Sequence, residues 1–337
     1  MIDMHTHPLH TLGDSLSEEA MAEELKLRIA VMDAFDVRKC VLLCLGFETK
    51  ASPNLSHSGS ERLAFYFRDA EPQRFVVFAT VDFSQMDLPD FTAKAVEHIE
   101  SAYRRGARGL KFELGKATMN WMAMDDPRLD PVYDKAAELG IPITYHCCDP
   151  EEFFQPVNAH NFWLGKNQGK AGGEQGYWEK RDQFVSREQL LRELEGMLQK
   201  HPGAKFILAH LGFLTRQLAL LADIFDRYPR VYADISAVLG DLGRAPKESA
   251  AFLAAYANRV VFGTDGGANS RTKDAWAIFL QRHFAILETD QDDLPDPFQR
   301  TWNTHGLNLP RNVLERIYYK NAENLLAHSV ASPPIMS

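Results

Sequence analysis

The sequence has little of what marks a secreted, membrane-bound or nucleic-acid-binding protein. Its 337 residues include four cysteines, all within apolar, strand-like stretches, so we expect buried thiols in a reducing compartment and no disulfide framework. No long uncharged apolar run is present that could span a membrane. The N-terminus lacks the basic and apolar regions of a signal peptide, so we expect a cytoplasmic location.

Positive charge is also scarce. The formal net charge of −9 argues against nucleic acid or an anionic membrane surface as the main partner. Hydrophobic residues make up 45% of the chain and charged residues 25%, which are ordinary values for a soluble globular domain. A small-molecule substrate is therefore the expected partner. A homodimer is a further hypothesis that composition does not test.

Eight short apolar runs divide the chain at intervals typical of alternating strands and helices. The runs cover residues 2–7, 40–47, 75–83, 107–114, 142–148, 205–213, 231–236 and 260–265. Strand–helix alternation predicts parallel pairing, and eight such units predict an α/β fold, a closed (β/α)8 TIM barrel that takes residues 1–337 as a single domain. The alternative, a doubly wound open sheet, is disfavoured because no glycine-rich phosphate loop follows any of the runs.

Helix signals lie between these runs. Residues 15–18 (SLSE) and 186–189 (SREQ) each fit a capping box, in which a serine begins a helix. Residues 91–106 are apolar at helical spacing and stop at a glycine. Residues 309–326 predict a final helix with a proline near its start.

Two intervals are too long for simple connections. Residues 151–184, after the fifth run, are rich in glycine, amide and aromatic side chains and have no clean period. A long irregular loop on the catalytic face is more often functional than accidental, so we interpret it as a lid or specificity insertion, with a disordered surface loop as the alternative. Residues 266–308, after the eighth run, could form the other wall of a pocket.

Ionisable side chains gather at the ends of the predicted strands, where a TIM barrel places its active site. His5 and His7 lie two positions apart, so in a strand both project from one face. Burying such groups is costly unless they are paired or bound to a metal ion, so their convergence on one rim predicts a metal site. The other members of the set, on the fourth to eighth runs, are Lys111, Glu113, His146, His210, Asp234 and Asp265.

Imidazole and carboxylate donors without thiolates suit Zn²⁺, Mn²⁺, Fe²⁺ or Ni²⁺, and a bound ion lowers the pKa of a water ligand. At three of these positions, a purely structural role is an alternative to a role in the site. His210 could be a satisfied core histidine, Asp265 a turn residue before glycine, and Asp234 a partner of local backbone. The histidines predicted in loops or helices are assigned no role: His10, His57, His98, His201, His283, His305 and His328.

The ordered set of His5-x-His7, Lys111, His146, His210 and Asp265 resembles the amidohydrolase superfamily. The C-terminal segments resemble its amidohydrolase-related branch, whose members are small barrels without an extra β-domain. These segments are residues 287–293, 301–310 and 315–326.

The resemblance implies a role for each matching position. His5, His7, His146 and Asp265 would bind the metal ion, and Asp265 would also transfer a proton during catalysis. His210 would be catalytic by polarising the substrate or the water in a one-metal site, or would bind a second ion in a two-metal site.

Lys111 bears on the number of ions. In some two-metal members of the superfamily a lysine on the fourth strand is carbamylated and bridges the ions. Lys111 could take that role, pair with Glu113 or bind a substrate carboxylate. We favour a single divalent ion, zinc, with two ions if Lys111 is carbamylated.

The leading hypothesis for the reaction is hydrolysis of an amide, ester or lactone by a metal-activated water, with Asp265 protonating the leaving group. The branch also contains non-oxidative decarboxylases and hydratases that act on small aromatic or unsaturated carboxylic acids, so a lyase is the alternative. Trp163 and Arg181 are predicted substrate contacts. A lyase needs a cation for the substrate carboxylate, and the loop candidates are Lys166, Lys170, Arg181 and Arg271.

Overall fold

The structure is a computed structural model of the full chain, and it describes six stretches of it. These are residues 1–8, 17–46, 57–155, 184–267, 273–294 and 302–327. The site and the barrel lie within these stretches, and all structural statements below refer to them.

Eight parallel strands form one sheet in simple sequence order, β1 to β8, which confirms the predicted (β/α)8 barrel. Each strand pairs with the next one along the chain, as expected when a helix returns the chain to the same edge. The strands are Ile2–Thr6 (β1), Lys39–Leu43 (β2), Phe75–Ala79 (β3), Gly109–Phe112 (β4), Pro142–Tyr145 (β5), Lys205–Leu208 (β6), Val231–Asp234 (β7) and Val260–Val261 (β8).

The residues after β8 close the barrel against β1. The Met4 amide donates to the Phe262 carbonyl at 2.9 Å, and the Asp265 amide donates to the His5 carbonyl at 2.8 Å. Thr6 and Gly266 form a parallel bridge just beyond. The closure therefore brings the first and last predicted metal ligands onto adjacent backbone.

Helices cover the outside of the barrel between successive strands. They are Glu18–Ala34 (α1), His57–Ala70 (α2), Phe91–Arg105 (α3), Asp130–Glu138 (α4), Arg187–Lys200 (α5), Leu218–Arg227 (α6), Leu239–Leu242 (α7), Pro246–Ala255 (α8), Lys273–Glu288 (α9), Arg311–Glu315 (α10) and Asn321–Ala327 (α11). A π-helical turn over Arg316–Lys320 joins α10 to α11, so the predicted final helix is present. Helix α9 occupies much of the interval after β8 that was predicted as a pocket wall.

Local signals set most helix ends. Gly106 adopts a left-handed conformation (φ 114°) at the C-cap of α3, as the sequence predicts. The Ser186 side chain accepts a hydrogen bond from the Gln189 amide at the start of α5. The cap predicted at residue 15 is wrong, because α1 begins after Ser17, whose hydroxyl accepts from the Ala20 amide at 3.2 Å. Two acidic residues in the following turn complement the helix dipole there.

The core is continuous across the strand and helix layers. A large cluster packs the strands against the helices, and its most buried members include Phe112, Tyr145 and Trp276. A second cluster joins side chains of β1, β2, β3, β6 and β8 with two residues of α11. Within the described residues, no helix combines the length and apolar character needed to cross a membrane.

Candidate metal centre

Three predicted ligands converge at the mouth of the barrel. His5 Nε2 lies 3.2 Å from His7 Nε2, and Asp265 Oδ1 lies 3.3 Å from the first and 3.1 Å from the second. The parity argument for His5 and His7 is confirmed, although β1 is irregular between Asp3 and Thr6. We refer to these three donor atoms as the donor triangle.

Each imidazole of the triangle is held from behind. The Nδ1 of His7 donates to the Leu43 carbonyl at 2.9 Å, because a carbonyl oxygen can only accept. The Nδ1 of His5 donates to Asp234 Oδ2 at 2.8 Å. With Nδ1 acting as the donor in each ring, Nε2 is the nitrogen that faces the triangle. Anchoring of this kind orients metal-binding histidines in proteins generally.

The spacing of the triangle fits a divalent ion. Donors that surround an ion at about 2.1 Å are separated by roughly 3.0 Å in octahedral and 3.4 Å in tetrahedral geometry. The observed separations of 3.1–3.3 Å fall in that interval. The His5 side chain is 1% exposed whereas that of Asp265 is 36% exposed, so the triangle opens to solvent on the aspartate side.

The electrostatics of the site favour a cation. Burial disfavours the charged form of His5, but the Asp234 and Asp265 carboxylates outweigh burial and raise the pKa of His5 to about 9. Burial lowers the pKa of His7. Burial also opposes ionisation of Asp265, yet its close contacts with His5 and His7 hold the pKa of that carboxyl well below its usual range. The same charges that attract a proton would attract a metal ion, and the two would compete.

Asp234 contributes more than a local backbone contact. Its Oδ1 accepts from the His210 amide and from the Ser236 amide, both at 3.0 Å, while Oδ2 holds His5. Asp234 therefore hydrogen-bonds local backbone and also holds a residue of the site, so both interpretations offered for it apply. The Ser236 hydroxyl lies 3.0 Å from His5 Nδ1 and 2.9 Å from His210 Nδ1, so it contacts both rings on the side away from the triangle.

His210 reaches the site from a left-handed turn. Strand β6 ends at Leu208, and His210, Leu211, Gly212 and Phe213 all have φ between 50° and 63°. For residues with a Cβ this conformation costs roughly 1–2 kcal/mol each, and such strain is concentrated at functional sites. The His210 Nδ1 donates to the Ser236 carbonyl at 2.9 Å, which leaves its Nε2 unprotonated. Burial lowers the pKa of His210 to about 3, so the ring is neutral at physiological pH.

His146 lies beside the donor triangle but is not one of its members. Its ring centroid is 5.0 Å from that of His210. Its Nε2 is 3.1 Å from Asp149 Oδ1, and its Nδ1 is 3.7 Å from Glu113 Oε2. Both ring nitrogens therefore face carboxylates, and the assignment of His146 as a metal ligand stays a prediction.

Lys111 and Glu113 lie on one face of β4, as their parity predicts, and form a buried ion pair, which was one of the three alternatives for Lys111. Nζ lies 2.7 Å from Glu113 Oε1, and the Lys111 side chain is 1% exposed. Burial opposes ionisation of Glu113, but the charges of Lys111 and His146 hold the pKa of its carboxyl well below the usual range. Within the described residues, Nζ has no acceptor other than Glu113, so two of its three N–H donors are unused.

Sequence reasoning missed three residues that shape the centre. Asp3 is fully buried and accepts from the His5 and Thr264 amides, which ties β1 to the segment after β8. Burial raises the pKa of Asp3 to about 7. Asp149 and Ser236 lie two or three positions after predicted site residues, and that proximity was the available signal. Other predicted contacts lie outside the described residues: Trp163, Lys166, Lys170, Arg181 and Arg271.

Comparison with known proteins identifies a family whose members share this sequence pattern. The family model described as Amidohydrolase matches residues 2–327. The chain belongs to the amidohydrolase family. Membership indicates a metal-dependent enzyme, in agreement with the donor triangle. A comparison with curated protein sequences finds no match.

Solved structures with the same fold resemble this amidohydrolase over nearly its whole length. The 2,6-dihydroxybenzoate decarboxylase from Rhizobium has 13% identity and a TM-score of 0.56, covering 97% of this chain and 98% of that one. The 4-oxalomesaconate hydratase from Rhodopseudomonas palustris has 13% identity and a TM-score of 0.58, covering 97% and 95%. A dihydroxybenzoic acid decarboxylase from Polaromonas sp. JS666, with bound manganese, has 14% identity and a TM-score of 0.56, covering 98% and 99%. At these identities the likeness establishes the shared barrel fold.

Proposed function

We propose that this amidohydrolase is a metal-dependent lyase, a non-oxidative decarboxylase or hydratase that acts on a small aromatic or unsaturated carboxylic acid. The observation that carries the proposal is the buried Lys111 ammonium with unused donors beside the donor triangle. A substrate carboxylate would accept from those donors in charge-assisted hydrogen bonds, which are about twice as strong as hydrogen bonds between neutral groups. The reactions in the names of the structural relatives support the same choice.

The residues present divide into binding and proton-transfer roles. His5, His7 and Asp265 would hold one divalent ion, zinc or manganese, which would supply Lewis-acid polarisation of a substrate oxygen. Lys111 would bind the substrate carboxylate through its unused N–H donors. Asp265 is the exposed member of the triangle, so it can exchange a proton with substrate at its outward side.

His210 and Phe213 would form the adjoining wall. The Phe213 ring lies 4.8 Å from that of His210 and 5.6 Å from that of His146, which presents an apolar face to a planar substrate. The neutral His210 ring offers Nε2 as a hydrogen-bond acceptor. In decarboxylation the bond between the ring or vinyl carbon and the carboxylate breaks, CO2 leaves, and a proton takes its place.

Hydrolysis of an amide, ester or lactone is the second candidate. The family description favours it, and the open aspartate side of the triangle would admit a water as readily as a carboxylic acid. A neutral substrate places no anionic group opposite the Lys111 ammonium, and for that reason we rank hydrolysis second.

A panel assay with the purified, metal-loaded enzyme separates the two. The substrates are hydroxybenzoate-type acids, unsaturated dicarboxylic acids, and matched esters and lactones, with product identified by NMR in D2O. Decarboxylation is expected to release CO2 and to leave one deuterium at the vacated carbon. Turnover of esters or lactones without any lyase activity would overturn the proposal in favour of hydrolysis.

Lys111 can be tested once a substrate is known. Because Lys111→Met alone would strand a buried carboxylate, the informative variant is Lys111→Met with Glu113→Gln. We expect KM for the carboxylic acid to rise roughly 10- to 100-fold, the cost of losing a charged hydrogen bond. Lys205→Met is the matched control, since Lys205 lies on β6 and its Nζ donates to the Gly140 carbonyl.

A further inference from the structure

A second group of possible ligands lies away from the donor triangle, between helices α2 and α3. His57 and Glu61 are one helical turn apart on α2 and therefore share a face, and His98 faces them from α3. His98 Nε2 is 2.9 Å from Glu61 Oε1, and His57 Nε2 is 3.6 Å from the same oxygen. The two imidazole centroids are 4.6 Å apart.

Two imidazoles and a carboxylate form a donor set that proteins use for zinc. Donors around an ion at about 2.1 Å are separated by roughly 3.0–3.4 Å, and the observed distances of 2.9 and 3.6 Å lie on either side of that interval. One ligand atom of each of the three side chains lies within 4.8 Å of the other two. The histidines are partly exposed, at 18% and 32%, so an ion could enter from solvent.

The carboxylate at the centre of the group is fixed by the barrel. Glu61 is buried, and its Oε1 accepts from the Thr80 amide at 3.2 Å, just after β3. The negative charge of Asp82 also acts on His98, so the group lies in an electronegative environment. A rigid acidic centre with two adjustable imidazoles is suited to capture of a cation.

We propose that His57, Glu61 and His98 bind a divalent transition-metal ion such as Zn²⁺, at a second site separate from the donor triangle. The ion would join the start of α2 to α3 and, through Glu61, to the end of β3. Its role would be structural, because none of the three side chains belongs to the donor triangle. The competing account is a hydrogen-bonded cluster in which His98 donates to Glu61 and His57 donates to the Thr80 carbonyl, 3.3 Å away.

Metal counting distinguishes the two accounts. Chelator-treated protein is titrated with Zn²⁺ or Co²⁺, desalted and analysed for metal per chain, with folding checked by circular dichroism. Wild type is expected to bind one ion more than His98→Gln, and His57→Gln provides the same test if His98→Gln fails to fold. His305→Gln is the matched control, because His305 pairs with a single carboxylate, Asp292, at the surface. Equal metal content in wild type and both cluster variants would overturn the proposal.

Thermal unfolding gives a readout that does not involve activity. In a His5→Gln, His7→Gln background, a hundredfold excess of Zn²⁺ over its Kd is expected to raise the midpoint by about 4 °C. Adding His98→Gln to that background should abolish the shift. A shift that persists without His98 would contradict the assignment.

Discussion

Asp234 lies directly behind His5, with its Oδ2 2.8 Å from the imidazole Nδ1. The carboxylate is buried, and its other oxygen is already held by the His210 and Ser236 amides. It therefore fixes the orientation of a predicted metal ligand from the neighbouring part of the barrel. This contact links β7 to the ligand set on β1.

The first prediction concerns this contact. Asp234→Asn keeps the shape of the side chain but removes the negative charge that supports His5 as a metal ligand. We expect metal affinity to fall by about 10- to 100-fold, measured by competition with a chromophoric chelator. Asp226→Asn is the control, because Asp226 accepts a hydrogen bond from the Tyr256 hydroxyl at the surface. An unchanged affinity would mean that His5 does not bind the ion.

The second prediction separates metal binding from proton transfer at Asp265. An asparagine at this position retains an oxygen donor but cannot exchange a proton. Asp265→Asn, assayed at saturating metal, should therefore lose about 10²- to 10⁴-fold in kcat. If kcat is retained under those conditions, Asp265 is a ligand alone and the proton passes through another group.

The third prediction tests His146 as a fourth ligand. A change of rotamer would release its Nε2 from Asp149 and present a ring nitrogen beside His210. On that basis His146→Gln should lower the affinity of the donor triangle for one ion by about 10- to 100-fold. An affinity equal to that of wild type would show instead that Asp149 keeps the imidazole out of the coordination sphere.

The fourth prediction concerns stability and pH in the metal-free protein. Burial lowers the pKa of His283 to about 4, below the value near 6.5 expected in the unfolded chain. As pH falls through this range the unfolded chain takes up the proton first, so the free energy of unfolding decreases. The loss should reach about 3 kcal/mol at most between pH 6.5 and pH 4.

His283→Gln isolates this contribution. Denaturant unfolding at a series of pH values should show a shallower dependence in the variant than in wild type over the same range. His305→Gln, at a partly exposed histidine, controls for the loss of a titratable ring as such. Parallel pH profiles for wild type and His283→Gln would exclude the effect.

The sequence predicts what depends on short-range periodicity. The eight strands, the ligand parity of His5 and His7, and the shared face of Lys111 and Glu113 follow from alternation along single strands. The closure of the barrel follows from the number of units. Each of these predictions needs only the local pattern and the rule that parallel strands share one catalytic edge.

Contacts that depend on three-dimensional packing could not be predicted. Asp149 and Ser236 lie in the connections that follow β5 and β7. The packing of those connections at the mouth of the barrel determines which residues they contact. The left-handed turn at His210 has no signature, because only one of its four residues is glycine. The cluster of His57, Glu61 and His98 depends on the packing of two helices, so single histidines in helices carried no signal.

The contact of Asp3 with Thr264 joins residues 261 positions apart. During synthesis at about 5–20 residues per second, the ribosome needs roughly 10–50 s to reach the second residue after making the first. During that interval His5 and His7 have been synthesised but Asp265 has not. The three side chains of the triangle therefore coexist only after residue 265 has been made, and a nascent chain that stops short of it holds the two imidazoles without the carboxylate.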